Sequence, residues 1–180
     1  MISYAPLQGM VRSLSKSLSP GEFERQVVPA LVDLWLDDYA GRWGKGDIVS
    51  TRDGLIRAEF LFDIAAERLI GAWALSRGKS HELRDASRMR GAPLGGGKLY
   101  HRGHAIPHSM GGGLDINLVP QLGRINIGDF RRLEIRAVDL PGSIYFSHWI
   151  YESAKSQKPS FVYQGLLAAG SAADVTRHVN

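Results

Sequence analysis

At 180 residues, 44% of them hydrophobic and 22% charged, the chain has the composition of a soluble globular protein and the length of one domain rather than two. Its formal net charge of +4 suits a polyanionic partner, although many proteins without one share that balance. The absence of cysteine excludes a disulfide framework, thiolate catalysis and every zinc site built on sulfur.

The opening "MISYAPLQGMVRSLSKSLSPGEFE" lacks the basic start and apolar stretch of a secretory signal, and no run is long enough to span a bilayer. The expectation is a soluble chain with no membrane partner, cytoplasmic or exported by a dedicated secretion system. Residues 1–18 are serine-rich and weakly patterned, which predicts an extended N-terminal arm before a domain over 19–180. Ser19-Pro20-Gly21-Glu22 reads as a helix start, with Ser as N-cap and Glu reaching back to it. Phe23, Val27, Ala30, Leu31 and Leu34 follow at helical spacing and predict a helix over about 20–40, kinked or ended early by Pro29.

"DIVSTRDGLIRAEF" predicts two short strands about an Asp53-Gly54 turn. Phe62, Ala66, Leu69 and Trp73 then suggest a second helix ending before Gly78. From Arg77 to Lys98 the pattern dissolves into basic, glycine-rich loop, with room for a short helix near 81–90. Gly95-Gly96-Gly97 lacks the GxxxxGK[ST] spacing of a phosphate-cradling loop and reads better as a loop before a strand. "SIYFSHWIYES" and "PSFVYQGLL" return to strand alternation, as a hairpin closing on the core. These elements make one α+β domain.

The chemistry concentrates in "YHRGHAIPHSMGGGLDINLVPQLGRINIGDFRRLE", Tyr100 to Glu134. His101, His104 and His108 could be three metal ligands, or could merely decorate a polar turn. Gly103 and Pro107 argue against a helix here, and in a strand 101 and 104 point to opposite faces, so three imidazoles on one metal need special geometry. Downstream, Gly128-Asp129 looks like the start of a helix with Asp129 as N-cap. Phe130, Leu133 and Ala137 form its apolar stripe and Glu134 falls inside it. A carboxylate facing inward is costly unless something polar or cationic meets it; otherwise it snorkels at the boundary. A histidine, neutral carboxamide oxygens at Asn117 and Asn126, a buried carboxylate and nearby arginines together supply what metal-assisted phosphodiester cleavage needs.

"RGH", "NLVPQ" and "IN-x-G-x-x-x-R-L-E" resemble the DNA/RNA non-specific endonucleases of the ββα-metal nuclease superfamily. That signature is D-R-G-H on a strand, then N-x-x-P-Q, then an asparagine before a helix bearing a glutamate. The nine residues from Asn117 to Asn126 and the eight from Asn126 to Glu134 agree with it, and the likeness is confined to about 98–134. It implies a ββα-metal core at about 98–140 within an antiparallel sheet flanked by helices. It further implies a Mg²⁺-dependent nuclease, with Mn²⁺ able to substitute, acting on DNA or RNA.

Carried over, the resemblance makes His104 the general base and Asn126 the direct metal ligand. Asn117 would orient the histidine or a water on the metal, Glu134 would accept from those waters, and Arg102 would contact phosphate. His101, His108 and Arg131 join Arg102 in the substrate-binding set. The family's aspartate before Arg-Gly-His is His101 here, and its upstream arginine has three candidates, Arg84, Arg88 and Arg90. An antibacterial effector toxin with an immunity or inhibitor protein is a role offered by analogy. Two further readings stay open: a ββα-metal module that binds nucleic acid or protein without cutting, favoured by His101, and a histidine-bound zinc protein.

Overall fold

The computed structural model describes residues 2–53, 58–81, 98–113 and 115–180. Its frame is a six-stranded antiparallel sheet ordered β1-β2-β3-β6-β7-β8. The strands are Ile48–Arg52 (β1), Glu59–Asp63 (β2), Arg68–Leu75 (β3), Ile144–Tyr151 (β6), Pro159–Leu167 (β7) and Asp174–Val179 (β8). Between β3 and β6 the chain leaves the sheet for a separate hairpin, Tyr100–His104 (β4) with Leu118–Leu122 (β5). Two helices follow that hairpin, Gly123–Ile127 (α3) and Asp129–Asp139 (α4). Ala5–Ser13 (α1) and Pro20–Trp43 (α2) precede the sheet. The fold is thus a single α+β domain, an antiparallel sheet flanked by helices.

The sheet separates two hydrophobic cores, and β6 shows why. Ile144, Phe146, His148 and Ile150 face α1 and α2, while Tyr145, Ser147, Trp149 and Tyr151 face the β4–β5 and α4 side. All eight residues are buried, so the strand is covered on both faces. On the helical side Trp35 stacks 5.2 Å from His148, and its indole N–H donates to the Tyr4 hydroxyl at 2.9 Å. That hydroxyl in turn meets Nδ1 of His148 at 2.9 Å. Burial drives the His148 pKa down to about 3. Trp35 also dictates Gly71, where a Cβ would lie 2.5 Å from the indole ring.

Several expectations meet corrections. The segment over 1–18 is no extended arm: α1 forms there, and Tyr4, Leu7 and Val11, three and four apart, bury its inner side. The Ser19–Glu22 capping box is present, but α2 runs through Pro29 to Trp43. Pro29 is exposed, as is Arg25, whose carbonyl loses its N–H partner there, so water can take that bond's place. The second helix expected from Phe62 to Trp73 is instead the end of β2, a turn and β3. "RLIGAWAL" is buried along nearly its whole length, and such a run shows no period by which to tell strand from helix. Helix α4 starts at Asp129 with Gly128 in the N-cap position, one residue earlier than expected. The two hairpins stand as expected, β1–β2 and β6–β7, and β8 is an additional strand. Gly54, the short helix near 81–90, Gly95 to Gly97 and Arg84, Arg88 and Arg90 lie outside the described residues.

Candidate functional site

Antiparallel pairing of β4 with β5 sets His101 opposite Gln121, Arg102 opposite Pro120 and His104 opposite Leu118. Strand alternation puts Arg102 and His104 on one side of β4 and His101 and Gly103 on the other. Gly103 is the residue that Gln121 requires: a Cβ there would sit 2.1 Å from the Gln121 Oε1. The Gln121 side chain is fully buried, and among the described residues neither its oxygen nor its nitrogen has a hydrogen-bond partner. His104 is 6% exposed and turns its ring toward His108, centroid to centroid 6.0 Å.

The backbone that follows His104 is held at four points. Ala105 donates its N–H to the Asn117 carbonyl at 2.8 Å, and its own carbonyl accepts from the Ser147 hydroxyl at 2.9 Å. Ile106 donates to the Asn117 Oδ1 at 2.7 Å and accepts from its Nδ2 at 2.9 Å. The same Nδ2 donates to the Gly113 carbonyl at 2.9 Å. Asn117, 1% exposed, therefore spends its carboxamide on the main chain of the loop after His104. Gly112 lets that loop close, since a Cβ there would fall 1.8 Å from the Ile106 carbonyl oxygen.

Helix α3 packs on both hairpin strands, and α4 packs on α3 and on the 3-10 turn His108–Met110. Asn126, on α3, is half-buried and its carboxamide bonds to no other described residue. Phe130, Leu133 and Ala137 bury the inner side of α4, with Glu134 half-buried beside them. Burial first, and then the nearby Glu134 charge, holds the Tyr145 phenol well above its ordinary pKa. Gln164 ties the start of α4 to β6, donating to the Phe130 carbonyl and the Tyr145 hydroxyl, both at 2.9 Å. Asn180 ties down the free edge of β5: its Oδ1 accepts from Leu122 N–H and its Nδ2 donates to the Pro120 carbonyl, both at 2.9 Å.

The expected residues thus divide. His104 and His108 come together; Asn126 and Glu134 sit on consecutive helices packed against the hairpin and its turn. Arg102 lies on the His104 side of β4 and half-buried, whereas Arg131 is exposed on α4. His101 is exposed over the start of α3, where a Gly123 Cβ would be 2.7 Å from its Nε2. Among the described residues no three histidines, aspartates or glutamates are grouped to hold a metal. Gln121, Ser147, Gly112 and Asn180 escaped sequence reasoning. Of these only Gln121 carried a signal, as the last letter of "NLVPQ".

No family model and no curated protein matches the chain. Among solved structures it is similar to NucA from Streptococcus agalactiae. Against the form with no metal bound, the TM-score is 0.49 at 16% identity, over 74% of this chain and 70% of that one. Against the form with a magnesium ion bound, it is 0.49 at 17%, over 74% and 69%.

Proposed function

We propose that the chain is a Mg²⁺-dependent endonuclease of low sequence specificity, hydrolysing phosphodiester bonds in DNA, RNA or both. The observation that supports it is one ββα unit carrying Arg102 and His104 on its first strand, Asn126 on α3 and Glu134 on α4, with the backbone after His104 fixed by Asn117 and Ser147.

The residues fit a hard divalent cation. Mg²⁺ keeps most of its waters and asks for one or two protein oxygens, which the uncommitted Asn126 carboxamide and the half-buried Glu134 carboxylate can offer. When bound, the ion would polarise the phosphate and neutralise charge on the departing oxygen. Asn126 would hold it, and Glu134 would accept hydrogen bonds from the waters around it. His104 would take a proton from the attacking water, and Arg102 would steady the phosphate with paired donors. Asn117 would act on the histidine indirectly, through the Ile106 backbone. His108, His101 and Arg131 would add contacts to the nucleic-acid backbone, so binding should weaken as salt rises.

Plasmid nicking, run in Mg²⁺ and in EDTA, tests this reading. Nicking in Mg²⁺ that EDTA stops, and that His104→Ala lowers by roughly 10²-fold or more, is the expected result. A plasmid that is bound but never cut, or cut equally by the alanine variant, overturns it.

A further inference from the structure

A cavity of about 580 Å³ opens between the central sheet and the site hairpin, of a size that takes small organic ligands. Phe62, Leu69 and Tyr151 line it from the sheet, and Ile116, Leu118 and Pro120 from the hairpin side. Leu69 and Tyr151 are buried, but Phe62, Ile116, Leu118 and Pro120 are only partly so, which leaves one ring and three aliphatic groups available to a ligand. Arg102 also lines this cavity, on the same side of β4 as His104.

The polar rim is particular. Arg68 is already committed: it lies 4.6 Å over the Tyr151 ring, bonds to the Tyr39 hydroxyl and donates to the carbonyls of Ser153 and Ser156. Glu67 sits at φ 50°, a left-handed conformation unusual for a residue with a Cβ, and its Oε2 accepts from Gln157 Nε2 at 3.0 Å. This pairing commits one of the two Gln157 N–H donors and leaves the Glu67 carboxylate, which can only accept, at the cavity's edge.

We propose that this cavity is a nucleobase slot, and that its preferred occupant is a guanine next to the phosphate held by Arg102; the proposal rests on the nuclease reading. A base entering it stacks on Phe62, as unpaired bases do on aromatic side chains. Guanine presents a ring N–H and an amino group side by side, two donors that the Glu67 carboxylate at the rim can accept. Adenine and cytosine place an acceptor beside their amino group, and uracil has no amino group. Since the base must leave its stack, the slot selects unpaired strands over duplex.

The test uses the whole chain and has two arms. Binding of guanosine monophosphate is measured in EDTA by calorimetry against the adenosine, cytidine and uridine monophosphates. Cleavage positions are mapped on a mixed-sequence single-stranded oligonucleotide in Mg²⁺. The expected result is tightest binding of the guanosine nucleotide and cuts enriched beside guanine. Phe62→Leu, which keeps an apolar side chain but removes the ring, should weaken that binding by about tenfold, and Glu67→Gln should remove the preference over the other nucleotides. Cleavage without base preference, together with equal binding of all four nucleotides, overturns the slot and leaves the nuclease standing. Guanosine selectivity sensitive to Phe62→Leu, without any cleavage, supports the slot and overturns the nuclease. A preference for guanine that both variants retain places recognition elsewhere and overturns the slot.

Discussion

The Asn117 carboxamide binds both backbone polar groups of Ile106, accepting its N–H at 2.7 Å and donating to its carbonyl at 2.9 Å. With the Ala105 N–H on the Asn117 carbonyl, this side chain locks the two residues that follow His104. Asn117→Ala leaves an amide and two carbonyls without partners in a buried setting, at about 1–3 kcal/mol for each group that water cannot reach. A loss of roughly 3 kcal/mol or more in urea denaturation is expected, and Asn117→Asp should do no better, because it sets an acceptor against two carbonyls. A variant as stable as the parent would show that the lock is decorative.

Gln121 makes the opposite prediction. Its carboxamide is fully buried and has no partner among the described residues, which costs folding energy, so Gln121→Met should hold or raise stability by about 1 kcal/mol. Gly103→Ala forces a Cβ to 2.1 Å from that side chain and should destabilise by roughly 1–3 kcal/mol. Thermal melts of both variants check the signs. If Gln121→Met melts lower than the parent, the glutamine contributes to stability after all.

Asn126→Ala should raise the Mg²⁺ concentration for half-maximal nicking more than Asn117→Ala does, since the Asn117 carboxamide oxygen is committed to the Ile106 N–H and that of Asn126 to no described residue. Glu134→Gln keeps the shape and removes the charge, and should cut turnover strongly at unchanged or higher stability. It should also let the Tyr145 phenol relax toward its ordinary pKa, because that charge is one of the groups raising it. Metal titrations and a phenol titration of the variants read these effects. Unchanged turnover in Glu134→Gln would leave that residue a purely structural part.

How far the site was legible depended on how local its chemistry is. The Ser19–Glu22 capping box spans four residues and was readable at sight, as were the strand bearing Arg102-Gly103-His104 and the helix bearing Glu134. The hold on the histidine's neighbours was not. Ser147 reaches Ala105 across 42 positions, and Asn180 reaches Leu122 and Pro120 across 58 and 60, distances over which no spacing rule operates. Strand β3 misled for another reason: buried on both faces, it has no polar residue after Arg68 to mark alternation, and Gly71 fits Trp35 rather than any local turn. Asn117 was legible in type but not in use, because sequence shows a carboxamide without showing what it bonds.

His148 predicts a pH dependence. Its pKa is about 3 in the folded protein and near 6.5 when unfolded, so below pH 6.5 the unfolded chain binds a proton that the folded one refuses. The stability tied to the neutral ring is whole above pH 6.5 and declines as pH falls toward 3, by about 1.4 kcal/mol per unit. Between pH 6.5 and 4.5 the parent should therefore lose roughly 2–3 kcal/mol relative to His148→Gln, which has no proton to take up. Parallel stability profiles for the two proteins over that range would show that the ring titrates freely in the fold.

Among the described residues, the site hairpin pairs with none of the six strands of the main sheet. Main-chain hydrogen bonds therefore join β6 to its neighbours but do not join β4 or β5 to them; side chains such as Ser147 and Asn180 make that connection instead. Opening the hairpin away from the sheet breaks those few bonds and the apolar contacts beneath, and leaves every sheet ladder intact. The protein should then behave as two cooperative units of unequal depth. In native-state hydrogen exchange, the β6 amides would exchange only through global unfolding, and the β4 and β5 amides through a shallower, sub-global opening. Such an opening would disperse His104 and Arg102 reversibly while the scaffold persists, so the chemistry could switch off at a temperature well short of the melt.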